Sequence, residues 1–268
     1  MQKPSVMGVV NVTPDSFSDG GVHLDPERAV TSALRMLDEC AAIVDIGGES
    51  TRPGAAAVSL AEELRRVLPV VEALAGRPVS IDTAKAEVAR RVLDLGAEMV
   101  NDVTALRGDP DLAAVVADSG AYLCLMHMQG EPRTMQVAPS YEDVVSEVAA
   151  FLEERLAFAV SEGIPEERVC LDPGIGFGKT ADQNLELVRR LDAIVALGRP
   201  VLVGLSRKST IARLLSEADA RVGTDAASVG AAVAAFSRGA SIFRVHDVRA
   251  HVEALTAAAA VERGRVSA

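Results

Sequence analysis

Short apolar runs alternate with longer stretches of helical periodicity along the whole chain. The runs are Ser5–Asn11, Ala42–Gly47, Pro78–Asp82, Met99–Val103, Ala121–Met126, Val169–Asp172, Pro200–Leu205 and Ser241–Val245. They are rich in Val, Ile and Leu and show little alternation, as expected of strands buried on both faces. Between them the apolar positions recur at helical spacing over Pro26–Cys40, Leu60–Ala75, Lys85–Leu95, Pro110–Ser119, Tyr141–Glu162, Asp182–Leu197 and Ser209–Gly239, and a last helix over about Asp247–Val261 closes the chain. Strand and helix in strict alternation predict right-handed βαβ units and a parallel sheet. Eight such units in 268 residues suit one closed barrel, which typically needs about 250. The expectation is an α/β protein, a single-domain (β/α)8 TIM barrel over residues 1–268. An open doubly wound sheet is the runner-up, weakened because no G-x-G-x-x-G follows the first strand. No linker, repeat or low-complexity tract interrupts the pattern. The connections around Gly21–His23 and Arg52–Ser59 exceed a minimal βα turn, and long loops of that kind often carry function.

Composition narrows the function classes. Hydrophobic residues are 49% of the chain and aromatics only 3%, with no Trp, so the core must be aliphatic. A net charge of −11 makes nucleic acid a poor partner, because affinity for phosphate backbones rests on Lys and Arg. It also argues against an anionic membrane surface, and no apolar run is long enough to span a bilayer. Cys40, Cys124 and Cys170 are far apart and form no C-x-x-C pair, which reads as buried thiols in a reducing compartment. The N-terminal apolar run is too short for a signal peptide. A soluble, cytoplasmic protein acting on small molecules is expected.

The chemistry should sit where the strands stop, since barrel active sites lie at the C-terminal strand ends. Those ends read Asn11; Gly47 to Gly54; Asp82; Asn101-Asp102; Met126-His127; Asp172-Pro173-Gly174 with Gly176 to Lys179; Ser206 to Ser209; and Arg244 to Asp247. One Asp after a strand is ordinarily a helix cap, and Asp15 and Asp102 read equally well as such. Polar groups at all the ends are harder to explain by capping alone. Likewise His127 reads as a rim histidine or a functional one, Lys179 as a solvated loop lysine or a functional one, and Met126 as core. Arg52, Lys208, Arg244 and His246 could together clamp a phosphorylated ligand, and barrels often hold phosphate near strands seven and eight. Asp82, Asn101 and Asp172 offer acceptors for the edge of a flat amino-heterocycle. Asn11 offers a carbonyl oxygen of the kind Mg2+ takes when it rides on phosphates.

The same segments, in order, resemble the dihydropteroate synthases. Asn11-Val-Thr-Pro-Asp-Ser-Phe-Ser-Asp-Gly-Gly21 is similar to the family's opening signature and Gly47-Gly-Glu-Ser-Thr-Arg-Pro-Gly54 to its second; Ser80 to Thr83, Asn101 to Val103, Leu125 to Met128, Pro132 to Met135, Leu171 to Gly174, Gly176 to Lys179, Ser206 to Lys208 and Arg244 to Val248 follow. The resemblance covers nearly the whole chain. It implies condensation of p-aminobenzoate with a dihydropterin diphosphate, releasing pyrophosphate. It also implies a pterin pocket of Asp82, Asn101, Asp172, Lys208 and Met126. Mg2+ and diphosphate contacts would come from Asn11, Arg52, Arg244 and His246, with Asn11 as the metal ligand. A p-aminobenzoate pocket would use Thr51, Arg52, Pro53, Phe177, Lys208 and Ser209. Asp82, Lys208, Arg52, Asp19 and Phe17 would carry catalysis, the last two on a mobile first loop. A homodimer is implied, and sulfonamides as inhibitors. Three places depart from the usual pattern: Ser209 to Ala212, Thr104-Ala105 where Ser-Gly is commoner, and Gln129 where a base is frequent. A pterin-dependent methyltransferase or a non-catalytic pterin-binding paralogue are the alternatives; neither needs the Thr51-Arg52-Pro53 loop and the Lys208-Ser209 pair together.

Overall fold

The computed structural model describes residues 3–13, 25–51, 54–130, 134–214 and 224–264. Eight parallel strands form one sheet: β1 (Ser5–Asn11), β2 (Ile43–Gly47), β3 (Val79–Asp82), β4 (Met99–Asp102), β5 (Tyr122–Met126), β6 (Val169–Asp172), β7 (Leu202–Val203) and β8 (Ile242–Val245). Their order is β6-β5-β4-β3-β2-β1-β8-β7. The ends of that order meet at a parallel bridge between Leu171 and Val201, where the Leu171 N–H donates to the Pro200 carbonyl at 2.9 Å. The sheet is thus a nearly closed barrel, as expected from the alternation.

The described helices are α1 (Pro26–Asp38), α2 (Leu60–Ala73), α3 (Ala86–Asp94), α4 (Leu112–Ser119), α5 (Val144–Ser161), α6 (Ala181–Arg189), α7 (Asp192–Val195), α8 (Ser209–Leu214), α9 (Asp225–Phe236) and α10 (Val248–Arg263), with a 3-10 turn at Glu166–Arg168. Side chains of Asp25, Ser59, Asp143, Thr180, Thr224 and Asp247 accept first-turn amides, so these helices begin where a short polar side chain can replace a missing backbone acceptor. Three elements differ from the sequence reading. The helix expected over Asp182–Leu197 breaks at Arg190, and the break puts both Leu191 and Ile194 in the core. The span from Ser209 to Gly239 is two helices, α8 and α9, with residues 215–223 outside the described set. The seventh strand shrinks from Pro200–Leu205 to two residues, since Pro200 has no amide to donate and Gly204 follows at once.

Two cores position the site. Between sheet and helices lies the large aliphatic core, including Val44, Ile46, Val70, Ile81, Leu125 and Leu152. Inside the barrel a separate plug is made of Met7, Met99, Cys124, Cys170 and Leu202, with Ile43 and Ile242 packed on it. Burying each such Leu, Ile or Met side chain contributes about 1.5–3 kcal/mol. Side chains on a strand face the same way every second residue. Two positions beyond the plug the same inward columns therefore carry Asp45 (after Ile43), Asn101 (after Met99), Met126 (after Cys124), Asp172 (after Cys170) and Arg244 (after Ile242). An apolar floor thus lies beneath a polar layer, at the end of the barrel where the βα loops gather.

Candidate active site

The polar layer is built around one arginine. Arg244 Nε donates to Asp45 Oδ2 at 2.6 Å and Nη2 donates to Asp82 Oδ2 at 2.8 Å. Asn101 Nδ2 donates to the same Asp45 oxygen at 3.0 Å. Burial pushes the Asp82 carboxyl up to about 7, helped by Asp45, Glu63 and Asp102 and opposed by the Arg244 guanidinium. Burial disfavours the charge on Arg244, but Asp45 and Asp82 outweigh it and hold its pKa above the ordinary value. Arg244 was expected at the diphosphate. The structure pairs it with two carboxylates at the barrel mouth, because in a low-dielectric setting they bind a cation more firmly than solvent does. Asp45 was not among the expected site residues. The signal was there: an acid in the middle of an otherwise apolar strand, Ile43-Val-Asp-Ile-Gly47.

Asp172 faces the same layer. Its Oδ1 accepts the Gly174 amide at 2.7 Å. Burial raises its pKa, while that hydrogen bond and the charges of Lys208, Lys179 and Arg244 pull the other way. Asn11 lies beside Asp82 across Gly47. A Cβ placed on Gly47 would stand 3.6 Å from both Asn11 Oδ1 and Asp82 Cβ, so the missing side chain leaves that approach open.

A second group forms over β5 to β7. Lys208 Nζ stands 4.3 Å from the Phe177 ring centroid, a cation–π contact. Met126 is 3% exposed and packs with Val103, Met128 and Met135, and Phe177 lies against that cluster. Ser209 opens α8 next to Lys208 and is exposed. His246 is half-buried; its Nδ1 pairs with Ser206 Oγ at 3.0 Å, and the same oxygen accepts the His246 amide.

Lys179 is neither solvated nor a rim charge. It is 2% exposed and its Nζ meets His127 Nδ1 (2.8 Å) and the carbonyls of Gly174 (3.0 Å), Phe177 (3.0 Å) and His127 (3.3 Å). Burial lowers its pKa to about 7, and burial beside Lys179 and Arg107 lowers that of His127 to about 3. Both are structural for the Gly174–Lys179 turn. Asp102 is a cap of its own loop, accepting Thr104 N, Thr104 Oγ1 and Leu106 N.

The root of the loop after β2 is tied down by charge. Lys85 Nζ pairs with Glu49 at 2.5 Å and also with Glu63, a carboxylate buried in α2 that accepts from Thr83 Oγ1 at 2.7 Å. Arg66 donates to the Gly48 carbonyl at 2.8 Å. Beside this root a cavity of about 220 Å³ is lined by Glu49, Thr51, Asp82, Thr83 and Val103, among others. A larger cleft of about 470 Å³ runs between α3 and α4, away from the strand ends, with no converging chemistry. Phe17, Asp19, Arg52 and Pro53 lie outside the described residues.

The chain matches the pterin binding enzyme family over residues 7–246. It is 48% identical over 261 residues to dihydropteroate synthase of Escherichia coli K12, covering 95% of this chain and 90% of that protein. Dihydropteroate synthase of Yersinia pestis, solved with a sulfonamide drug, superposes with a TM-score of 0.91 at 44% identity, over 97% of this chain and 95% of that one. The Xanthomonas albilineans enzyme, solved with 4-aminobenzoic acid, gives 0.89 at 50% identity, over 97% and 93%. A barrel whose polar layer reads as a heterocycle pocket, carrying this likeness over almost its whole length, belongs to the dihydropteroate synthase family.

Proposed function

We infer that this enzyme condenses p-aminobenzoate with (7,8-dihydropterin-6-yl)methyl diphosphate, giving 7,8-dihydropteroate and pyrophosphate. The observation that carries the reading is the layer of Asp82, Asn101 and Asp172 inside the barrel mouth, with Lys208 and Phe177 beside it. Acceptors on β3, β4 and β6 suit the donor edge of a pterin. Lys208 over Phe177 suits an aromatic carboxylate, whose ring can lie on Phe177 and whose charge is met by cations. The Xanthomonas albilineans relative is solved with that compound.

In the reaction the bond from the pterin methylene carbon to the diphosphate oxygen breaks and its electrons leave with the oxygen. The arylamine nitrogen bonds to the same carbon and gives up a proton. Ionised Asp82 offsets the positive charge that grows on the pterin. Arg52, Arg244 and His246 would meet the departing diphosphate. The first loop, carrying Phe17 and Asp19, and the second, carrying Thr51, Arg52 and Pro53, would exclude water that could trap the cationic pterin. A neutral arylamine then needs no covalent enzyme intermediate.

Mg2+ fits the residues present. Among the described residues no cluster of three or more His, Cys, Asp or Glu could hold a metal alone, and Mg2+ on a diphosphate ordinarily keeps only one or two protein ligands. Asn11 Oδ1 would be that ligand, and the ion would supply charge to the leaving oxyanion. A homodimer is proposed through α9, where Ala226 and Gly230 lie exposed one turn apart and let a second helix approach closely. No described helix is long and apolar enough to cross a membrane. The described cysteines are free, including the register pair Cys124 and Cys170, which suits a cytoplasmic setting.

The test is pyrophosphate release by purified protein with Mg2+ and the pterin diphosphate, with and without p-aminobenzoate. Release that requires p-aminobenzoate, with dihydropteroate in equal amount, is expected. Pterin binding with no release would instead mark a non-catalytic binder.

A further inference from the structure

Asp45 plays no part in the reaction as set out above, yet it is 0% exposed and sits at the centre of the polar layer. One of its oxygens, Oδ2, accepts from Arg244 Nε on β8 and from Asn101 Nδ2 on β4. In the barrel order β4-β3-β2-β1-β8 those strands flank β2 symmetrically. The other oxygen, Oδ1, is buried with no hydrogen-bond partner, and so is the hydroxyl of Ser80, its register neighbour on β3. A buried carboxylate with one oxygen unsatisfied is costly, and a well-packed apolar residue would serve stability as well or better. Packing therefore gives no reason for an acid here.

We propose that Asp45 is a positioning residue for the pterin, fixing at once the guanidinium of Arg244 and the direction of the Asn101 amide. The argument rests on the pterin reading of the site given above. A carboxylate can only accept, so it compels Asn101 to turn Nδ2 toward it. Asn101 Oδ1 is then the atom turned away from Asp45, and an acceptor there selects a ligand edge that donates. Without the acid the amide could rotate and offer NH2 where the pterin also offers NH2. The same carboxylate keeps Arg244 in place over Asp82. Asp82 itself is faced by Arg244, Asp45, Glu63 and Asp102.

Asp45→Asn, nearly isosteric, separates this from a structural role. Binding is measured by calorimetry with pterin-6-carboxylate and with lumazine-6-carboxylate, in which an oxo acceptor replaces the 2-amino donor. The variant is expected to lose about tenfold or more in affinity for the pterin and less for the lumazine, so that the preference for the amino compound narrows. In steady-state assays the pterin KM and kcat should change while the arylamine KM stays within about twofold, and the acid limb of kcat/KM should move to lower pH as one anion beside Asp82 is removed. Equal losses for both ligands with a lowered Tm would show a merely structural acid and overturn the proposal, as would unchanged affinities. Calorimetry needs no turnover, so a wild type that binds pterin but releases no pyrophosphate sinks the catalytic reading and leaves this comparison intact. Should the variant not fold, the wild-type arginine Nε–H spectrum decides: a slowly exchanging resonance that Arg244→Lys removes is expected, and its absence overturns the clamp.

Discussion

At the scale of single residues the site is a problem in compensating charge. Asp45, Asp82 and Asp172 share a small volume with Arg244 and, farther out, Lys208. Burial opposes the charge on Asp82 and on Asp172. Asp82 shows it most clearly, with burial lifting it from 3.8 to about 7. A raised carboxyl favours folding fully below its unfolded pKa, and that contribution is lost as pH rises through the folded value. The same shift governs activity, because the pterin cation needs the ionised form. We expect kcat/KM, which reports the free enzyme, to fall below about pH 7 with an Asp82-dependent acid limb, and Asp82→Asn to abolish the limb along with most of the rate. A profile flat through the range about 5 to 8 would mean that Asp82 is not the titrating group. Ala105, where the family commonly has Gly, takes a left-handed φ of 53°. Its carbonyl accepts Arg155 Nε at 2.8 Å, so a buried arginine helps hold a conformation that costs an L-residue about 1–2 kcal/mol.

At the scale of elements, the turn from β6 into α6 is what presents Phe177. It is packed too tightly for side chains: a Cβ on Gly174, at φ 67°, would lie 1.8 Å from the His127 carbonyl oxygen, and one on Gly178 would lie 2.6 Å from that of Gln129. Support comes from the segment after β5, where Gln136 donates to the Gly176 carbonyl and Tyr141 to that of Gly178, both at 2.8 Å. Gln129, the departure from a more usual base, bonds Ser140 in both directions and holds that segment in place. Lys179 joins the two segments from inside. Lys179→Met keeps most of the stem but strips the donors from buried carbonyls, at a cost of about 1–3 kcal/mol for a group left unpaired. A fall in Tm of about 2–12 °C and a higher KM for the arylamine, with pterin affinity nearly kept, are expected. An unchanged melt would show that the ammonium is not the tie.

At the scale of the whole molecule the barrel has one weak seam. β7 has two residues, and β6 meets it through a single bridge, whereas β1 runs in register with β2 over five pairs. The seam lies under the turns that carry Phe177, Lys208 and Ser209. Opening there would move those groups without disturbing Asp82 and Asn101 on the far strands. Hydrogen exchange followed by mass spectrometry should find residues 200–205 exchanging before residues 5–11 and 43–47, with the difference shrinking when p-aminobenzoate and a pterin are bound. Equal protection around the barrel would refute a local seam.

The amino-acid order by itself determined the barrel and the rim on which its chemistry lies. Aliphatic runs of strand length, spaced by helical periods, can bury themselves only as a parallel sheet wrapped in helices, and the polar residues ending those runs then gather at one end. That was enough to expect Asp82, Asn101 and Asp172 to offer acceptors to one flat ligand; that Lys208 belongs with Phe177 came only from the resemblance to the dihydropteroate synthases. It was not enough for groups whose role depends on distance across the barrel. Arg244 and Asp45 are 199 positions apart in sequence, and nothing local in either says that this guanidinium will pair with two buried carboxylates. Likewise Lys179 reads as a loop lysine or a functional one, and His127 as a rim histidine or a functional one, until closure of the turn buries both and pairs them. Local pattern decides which face a residue takes; which charge pairs with which is decided only when eight strands close and the dielectric falls.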